Sequence, residues 1–287
     1  MIKRTLIFTT ILLVIWQILI SFIPLRFSLH QWQENISQAE NFLFDVKNID
    51  YLIVGSSLSK RIVINSLPEF YNLSFGGQSY LDGLNLLEIK KIMPKKIFIE
   101  VNYIDRDEDK NFQNLLTSSL MNNLKKELTF LRSDKQPLTY LSVGIKELLR
   151  VTKRSLSGNP VIQESEKEVN SKDAILEKML ILQSKNYSII DTNNINNYLS
   201  KLKSLVNNLE SRGIEIVFFE MPVNENLVHL QRTTYIRSKI INDFCNNKFI
   251  VQSDTVHYKT SDALHLTANE AEMFTMYFKG ELNRIIN

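Results

Sequence analysis

Five short apolar runs, each cut off by small or polar residues, constrain the fold of this chain more than any other feature. They are Tyr51-Leu-Ile-Val54, Phe70-Tyr-Asn-Leu73, Lys96-Ile-Phe-Ile-Glu-Val101, Ile214-Glu-Ile-Val-Phe-Phe219 and Lys248-Phe-Ile-Val251. Runs of this length, rich in β-branched and aromatic residues and bounded by turn formers, read as buried strands. Helical spacing intervenes. Leu81, Leu84, Leu87, Ile89 and Ile92 recur on one helical face before Pro94, and further helices are expected near 193–211, closed by Gly213, near 230–246 and from Thr267. Strands alternating with helices imply an α/β fold, a mostly parallel sheet with helices on both faces. The alternation breaks between about 105 and 190, a polar, mainly helical stretch interrupted at Gly158-Asn159-Pro160. We expect an insertion there, a lid or docking surface within a domain spanning 49–287.

The N-terminus follows different rules. After Lys3 and Arg4, residues 5–23 are apolar and uncharged, with Gln17 the one strongly polar side chain. About 20 such residues span a bilayer. A secretory signal has a shorter apolar region and a small-x-small cleavage site; Ser21-Phe-Ile-Pro24 offers none. The expectation is an uncleaved transmembrane helix within residues 1–24, in contact with the lipid bilayer through 5–23. The basic residues before it favour a cytoplasmic N-terminus and an exported remainder, periplasmic or at the cell surface. Residues 25–48, with Gln31, Gln33, Glu34, Gln38 and Glu40, read as a polar stalk or short helix.

Composition excludes several function classes. With 34 basic and 31 acidic residues interspersed, the net charge of +3 forms no basic stripe for nucleic acid. The single cysteine, Cys245, permits no internal disulfide, and no Cys/His cluster has metal-ligand spacing, so neither metal nor cofactor is expected. Asp105-Arg-Asp-Glu-Asp109 lacks the glycine and alternating ligands of a calcium loop and reads as a solvated loop.

In a parallel α/β sheet, ligands bind beyond the carboxyl ends of the strands. The first three runs deliver Ser57, Gly77 and Asn102 to that edge, and Asp262-Ala-Leu-His265 arrives before the last helix. Ser57, after Gly55-Ser56, is either a helix N-cap or a hydroxyl nucleophile at a strand-to-helix turn. Asp262 and His265 are three apart, which in a helical turn puts both on one side, so that the carboxylate can orient the imidazole. Gly76-Gly77 is a plain turn or a close backbone approach to substrate, and Asn102 a turn residue or an amide donor. Singly, each has an ordinary structural explanation. Together they supply a nucleophile, a base with its orienting acid, and oxyanion donors. His257 is the second candidate for the base.

These segments resemble the SGNH (GDSL-like) hydrolases. The family's Gly-Asp-Ser block is similar to Gly55-Ser56-Ser57, its Asn-x-Gly-x-x-Gly block to Asn72-Leu-Ser-Phe-Gly-Gly77, and its Gly-x-Asn-Asp block in part to Glu100-Val-Asn102-Tyr103. Its final Asp-x-x-His block is matched in full by Asp262-Ala-Leu-His265. Ser56 stands where the family has Asp, which makes it a competing nucleophile, and Ser74 stands where the family has Gly. The resemblance implies a flavodoxin-like three-layer fold, a catalytic triad of Ser57, Asp262 and His265, and an oxyanion hole of Ser57, Gly77 and Asn102. It further implies the anchored, exported branch that acylates cell-envelope polysaccharides. The expected activity is therefore transfer of an acyl group, acetyl foremost, to a glycan acceptor, with a multi-pass membrane acyl carrier as partner. A carbohydrate or lipid esterase with the same triad, and a non-catalytic glycan-binding or assembly protein, are the alternatives.

Overall fold

In the computed structural model the described residues are 2–22, 29–142, 145, 149, 152, 164–252 and 255–286. Helices α1 (Ile2–Phe22) and α2 (Gln31–Phe44) precede strand β1 (Tyr51–Gly55), β2 (Phe70–Ser74), α3 (Tyr80–Lys90) and β3 (Lys96–Glu100). Next come α4 (Lys110–Thr117), α5 (Ser119–Glu127) and, further on, α6 (Glu164–Ser188) and α7 (Thr192–Ser211). The chain ends with β4 (Glu215–Phe219), α8 (Glu225–Val228), α9 (Gln231–Asp243), β5 (Lys248–Ile250) and α10 (Ala268–Ile286). Residues 137–142, 145, 149 and 152 are also helical. Two compact units result: Met1–Val46 with Lys110–Pro160, and Lys47–Asp109 with Val161–Asn287.

The larger unit holds a five-stranded sheet in the order β2-β1-β3-β4-β5, every pair parallel. The chain moves from β1 outward to β2, then crosses back to β3 on the other side of β1. Strand order therefore reverses between β1 and β3, where such sheets open a crevice at their carboxyl edge. Side chains alternate between faces with period two. Tyr51, Ile53, Phe98, Val217 and Phe219 meet Phe274, Phe278 and Leu282 of α10 in one buried cluster. Phe278 is the hub, with ring centroids 5.9 Å from Phe98 and 5.2 Å from Phe219. On the opposite face Gly83 of α3 sits against Val54, and Phe218 packs on Phe244, 4.8 Å between centroids. The five strands and the flanking helices lie where the apolar runs and helical spacing place them.

The smaller unit departs from expectation in part. Of the two forms expected for 25–48, a polar stalk or a short helix, the described part takes the helix, and one face of it is buried. Helix α2 buries Ile36, Ala39, Phe42 and the carboxylate of Glu40. Glu40 is there because it has partners: Lys125 Nζ at 2.7 Å and the Ser133 N–H at 2.7 Å. Arg132 pairs with Asp45 at 2.7 Å. The expected insertion is also divided differently. Its first part packs with the N-terminal helices, whereas α6 joins the sheet unit, where Tyr187 enters the core with Leu176 and Leu180 half-buried beside it. Gly158-Asn159-Pro160 lies outside the described residues. Helix α1 is long and apolar enough to cross a membrane, with mean hydropathy 1.7 over Ile2–Ile20.

Since Phe278 is fully buried against three aromatic rings, Phe278→Ala removes both apolar area and packing. The expected loss is about 3–5 kcal/mol, read as a lower midpoint in denaturant unfolding of the full chain.

Candidate active site

Strand β1 ends at Gly55, and the chain turns sharply through Ser56-Ser57-Leu58 into a single 3₁₀ turn, Ser59–Arg61. No α-helix begins here, contrary to the strand-to-helix turn expected, so a helix dipole contributes little to Ser57. What holds the turn is Glu100, the last residue of β3, directly beside Gly55 in the sheet. Its buried carboxylate accepts from the Ser56 N–H at 2.8 Å, the Ser59 N–H at 3.1 Å, the Ser56 hydroxyl at 2.8 Å and the Ser59 hydroxyl at 2.6 Å. Ser74, at the end of β2, stands 2.8 Å from the Ser59 hydroxyl. Asn72 closes the arrangement by donating to the Ser59 carbonyl at 2.8 Å. Charge-assisted bonds of this kind are the short, strong ones. They fix the turn from below.

Ser56 and Ser57 are thereby separated in role. Ser56 is 2 % exposed, with its hydroxyl on Glu100. Ser57 is half-buried, and its Oγ lies 2.8 Å from His265 Nε2. His265 Nδ1 lies 2.7 Å from Asp262 Oδ2. An ionised carboxylate only accepts, so Nδ1 carries the proton, and Nε2 is left as the acceptor for the Ser57 hydroxyl. The chain from Asp262 through His265 to Ser57 is continuous.

The Asp262–His265 pair is not built on a helical turn, as its spacing suggests. Residues 260–266 form a tight loop pinched by an antiparallel bridge between Thr260 and Leu266, and α10 starts beyond it. Within the loop Asp262 Oδ1 accepts from the N–H groups of Leu264 at 3.2 Å and His265 at 2.8 Å. This Asx turn draws His265 back over its own carboxylate. It requires Ala263 in the left-handed region, φ 69°, a conformation uncommon for a non-glycine residue. The Ala263 carbonyl is held by the Asn224 N–H at 3.0 Å. Burial opposes ionisation of Asp262, but hydrogen bonds from the His265 ring and backbone, the imidazole charge and the Leu264 N–H outweigh it. The carboxyl is held at about 2.

The expected oxyanion donors fare unequally. Gly77 is exposed and has φ 76°, in the region glycine enters freely. Among the described residues neither its N–H nor that of Ser57 makes a hydrogen bond. Arg106 steadies the same loop by donating to the Gln78 carbonyl at 3.2 Å. The Asn102 side chain, by contrast, is occupied by the main chain of Met221. Its Oδ1 accepts from Met221 N at 2.8 Å and its Nδ2 donates to Met221 O at 2.9 Å. It ties the ends of β3 and β4 together, and we assign it that positioning role in place of an oxyanion contact. His257 pairs with Glu225 at 2.8 Å on the exposed surface and takes no part in the relay.

The acids of the 105–109 run go separate ways. Asp105 forms a bidentate pair with the buried Arg232 at 2.6 and 3.1 Å, Asp107 faces Lys201 at 3.9 Å, and the Asp109 N–H bonds Asp82 at 2.9 Å. The residue that sequence reasoning missed is Glu100, although a carboxylate ending the otherwise apolar run Lys96–Val101 was a visible signal.

No protein-family model matches the chain, and no curated protein matches it in sequence.

Two outcomes follow from this geometry. A Cβ on Gly55 would fall 2.6 Å from both Cβ and Oε2 of Glu100. Gly55→Ala should therefore destabilise the fold by about 1–3 kcal/mol, measured by thermal unfolding. The depressed pKa of Asp262 favours the folded state above the ordinary carboxyl value of 3.8, and that contribution disappears as pH falls towards about 2. The melting temperature of wild type should exceed that of Asp262→Asn at neutral pH, and the gap should narrow across that acid window.

Proposed function

We propose that this chain is a membrane-anchored, exported serine acyltransferase that works through an acyl-enzyme on Ser57 and passes the acyl group to a cell-envelope or exported polysaccharide. The observation that carries the reading is the hydrogen-bonded relay, 2.7 Å from Asp262 to His265 and 2.8 Å from His265 to a half-exposed Ser57 hydroxyl. The resemblance of four short segments to the SGNH hydrolases supports it.

His265 Nε2 takes the Ser57 proton as Oγ bonds to the carbonyl carbon of the donor ester. Asp262, already ionised, stabilises the imidazolium without accepting its proton. The N–H groups of Ser57 and Gly77 face the developing oxyanion, a contribution typically of about 10²–10³ in rate per donor. The tetrahedral intermediate collapses, the donor oxygen leaves with the proton from His265, and the acyl group stays on Ser57. An acceptor hydroxyl then gives its proton to His265 and attacks the acyl carbon, and Ser57 recovers its proton as its bond to carbon breaks. With water as the acceptor the same steps make an esterase.

The transferase reading is placed first because of α1. An apolar helix at the N-terminus keeps the rest of the chain beside membrane-borne donors and growing polymers, and Lys3 and Arg4 favour a cytoplasmic tip. A multi-pass membrane protein that delivers the acyl group is the partner this arrangement calls for.

The test uses the full chain in detergent. With p-nitrophenyl acetate, wild type should release p-nitrophenol and carry an acetyl group on the peptide containing Ser57, and an oligosaccharide acceptor should become acetylated. Ser57→Ala should lose all three. Ser56→Ala should keep the chemistry with reduced stability, because its hydroxyl only bonds Glu100 and the turn. Labelling of Ser56 with Ser57 intact and unmodified would defeat the assignment.

A further inference from the structure

A chain segment far from α1 in sequence is fastened to its side. Trp16 donates its indole N–H to the Lys135 carbonyl at 2.9 Å and meets the Tyr140 ring edge-on at 5.1 Å. Gln17, the one strongly polar side chain in the apolar run, has both ends of its amide engaged: Nε2 donates to Thr129 Oγ1 at 2.8 Å, and Oε1 accepts from Phe130 N at 3.0 Å. Gln17 lies five residues before the Phe22 end of α1, about 8 Å along a helix that rises 1.5 Å per residue. A hydrocarbon core is about 30 Å thick, and the 21 residues of α1 match it. Residues 129–140 are therefore pinned below the exported end of the span, at a depth where water is scarce.

The side chains around those pins suit that depth. Leu138, Leu141, Ile145 and Leu149 are 74, 60, 49 and 63 % exposed. Their spacing of three, four and four residues puts them in a single helical stripe, while Thr139, between the first two, is buried. Leu120, Leu124 and Leu128, each also exposed, follow at i, i+4 and i+8 along and just beyond α5. Lys126 is exposed within that row, while Lys125 is held on Glu40. Exposed apolar stripes on helices beside a membrane span are the pattern of helices that lie in a membrane interface.

We infer that residues 118–142, with Ile145 and Leu149, form a second, monotopic membrane contact, seated in the exported leaflet beside α1 with the leucine stripes among the lipid chains. The inference rests on α1 spanning the bilayer. It explains why Gln17 is tolerated in the span: an unpaired amide in hydrocarbon is costly, and here neither end is unpaired. It also turns the anchor from a flexible tether into a platform with a fixed attitude to the membrane surface.

The test is site-directed fluorescence on the full chain in phosphatidylethanolamine–phosphatidylglycerol vesicles, with the exposed native thiol removed by Cys245→Ser. An environment-sensitive label is placed in turn at Leu138→Cys, Leu141→Cys, Leu124→Cys, Val14→Cys on α1, and Ser200→Cys as the aqueous reference. The expected result is blue-shifted emission at 124, 138 and 141, quenched by spin-labelled lipid as strongly as at Val14, with Ser200 quenched only by iodide. Val14 in lipid with 138 and 141 open to iodide would overturn the platform while leaving the anchor intact. Labels at 138 and 141 reached by neither quencher would overturn it too, since a protein surface would then cover the stripe. An aqueous Val14 would refute the anchor and the platform together, and leave the Ser57 chemistry untouched.

Discussion

The carboxylate of Glu100 is the interaction on which the site depends. A charge at the buried end of a central strand is costly unless every lone pair is satisfied. Glu100 meets that condition with two N–H groups and two hydroxyls, all from the four residues 56–59. The consequence runs in both directions. The charge is tolerable only because the turn folds over it, and the turn has one conformation because it must satisfy the charge. Gly55 is required by the same contact, as any side chain there would collide with Glu100. Ser57 is the residue this arrangement leaves over: the Ser56 and Ser59 hydroxyls are turned onto Glu100, whereas the Ser57 hydroxyl meets His265.

The second half of the site is positioned independently. His265 approaches Ser57 across 208 residues of sequence, and nothing in the first turn dictates where it arrives. Its position is set by the loop 260–266, which is closed at its base by the Thr260–Leu266 bridge and held at its tip by Asn224 after β4. The left-handed Ala263 is local strain, of the kind that surrounding structure must over-determine. The return is an imidazole whose tautomer and direction are both set by the fold itself. Preorganisation of this sort is what removes reorganisation from a proton-transfer step.

Much of this was legible in the residues alone. The five strands announced themselves because buried parallel strands are continuous apolar runs, and their order of appearance implied the α/β class. Ser57, Asp262 and His265 were identifiable because each sits next to a strand end or helix start. What was hidden was tertiary. The spacing of Asp262 and His265 suggested a helical turn, whereas an Asx turn produces the same proximity by another route. Asn102 resembled an oxyanion donor, but its amide faces Met221, a contact between residues 119 apart that no local pattern encodes. The polar helix at 31–44 read as a stalk or short helix because its glutamates and glutamines are conspicuous, and only the partnership of Glu40 with Lys125 and Ser133 explains its burial.

The relay from Asp262 to Ser57 is geometrically complete, and the residues beneath the turn form one connected cluster. In the pattern this chain resembles, an aspartate precedes the nucleophile; here that position is Ser56. A carboxylate nevertheless lies beneath the turn. It is supplied by Glu100 from the neighbouring strand, which reaches the N–H groups of Ser56 and Ser59, while the small hydroxyl of Ser56 leaves room for it. Ser74, in place of a glycine, adds a hydroxyl to the same cluster. Charge, volume and hydrogen-bond count beneath Ser57 can therefore be kept while the residue at each position changes. The physical requirement is a satisfied carboxylate under the Ser56–Ser59 turn, and it constrains a set of positions jointly rather than any one of them.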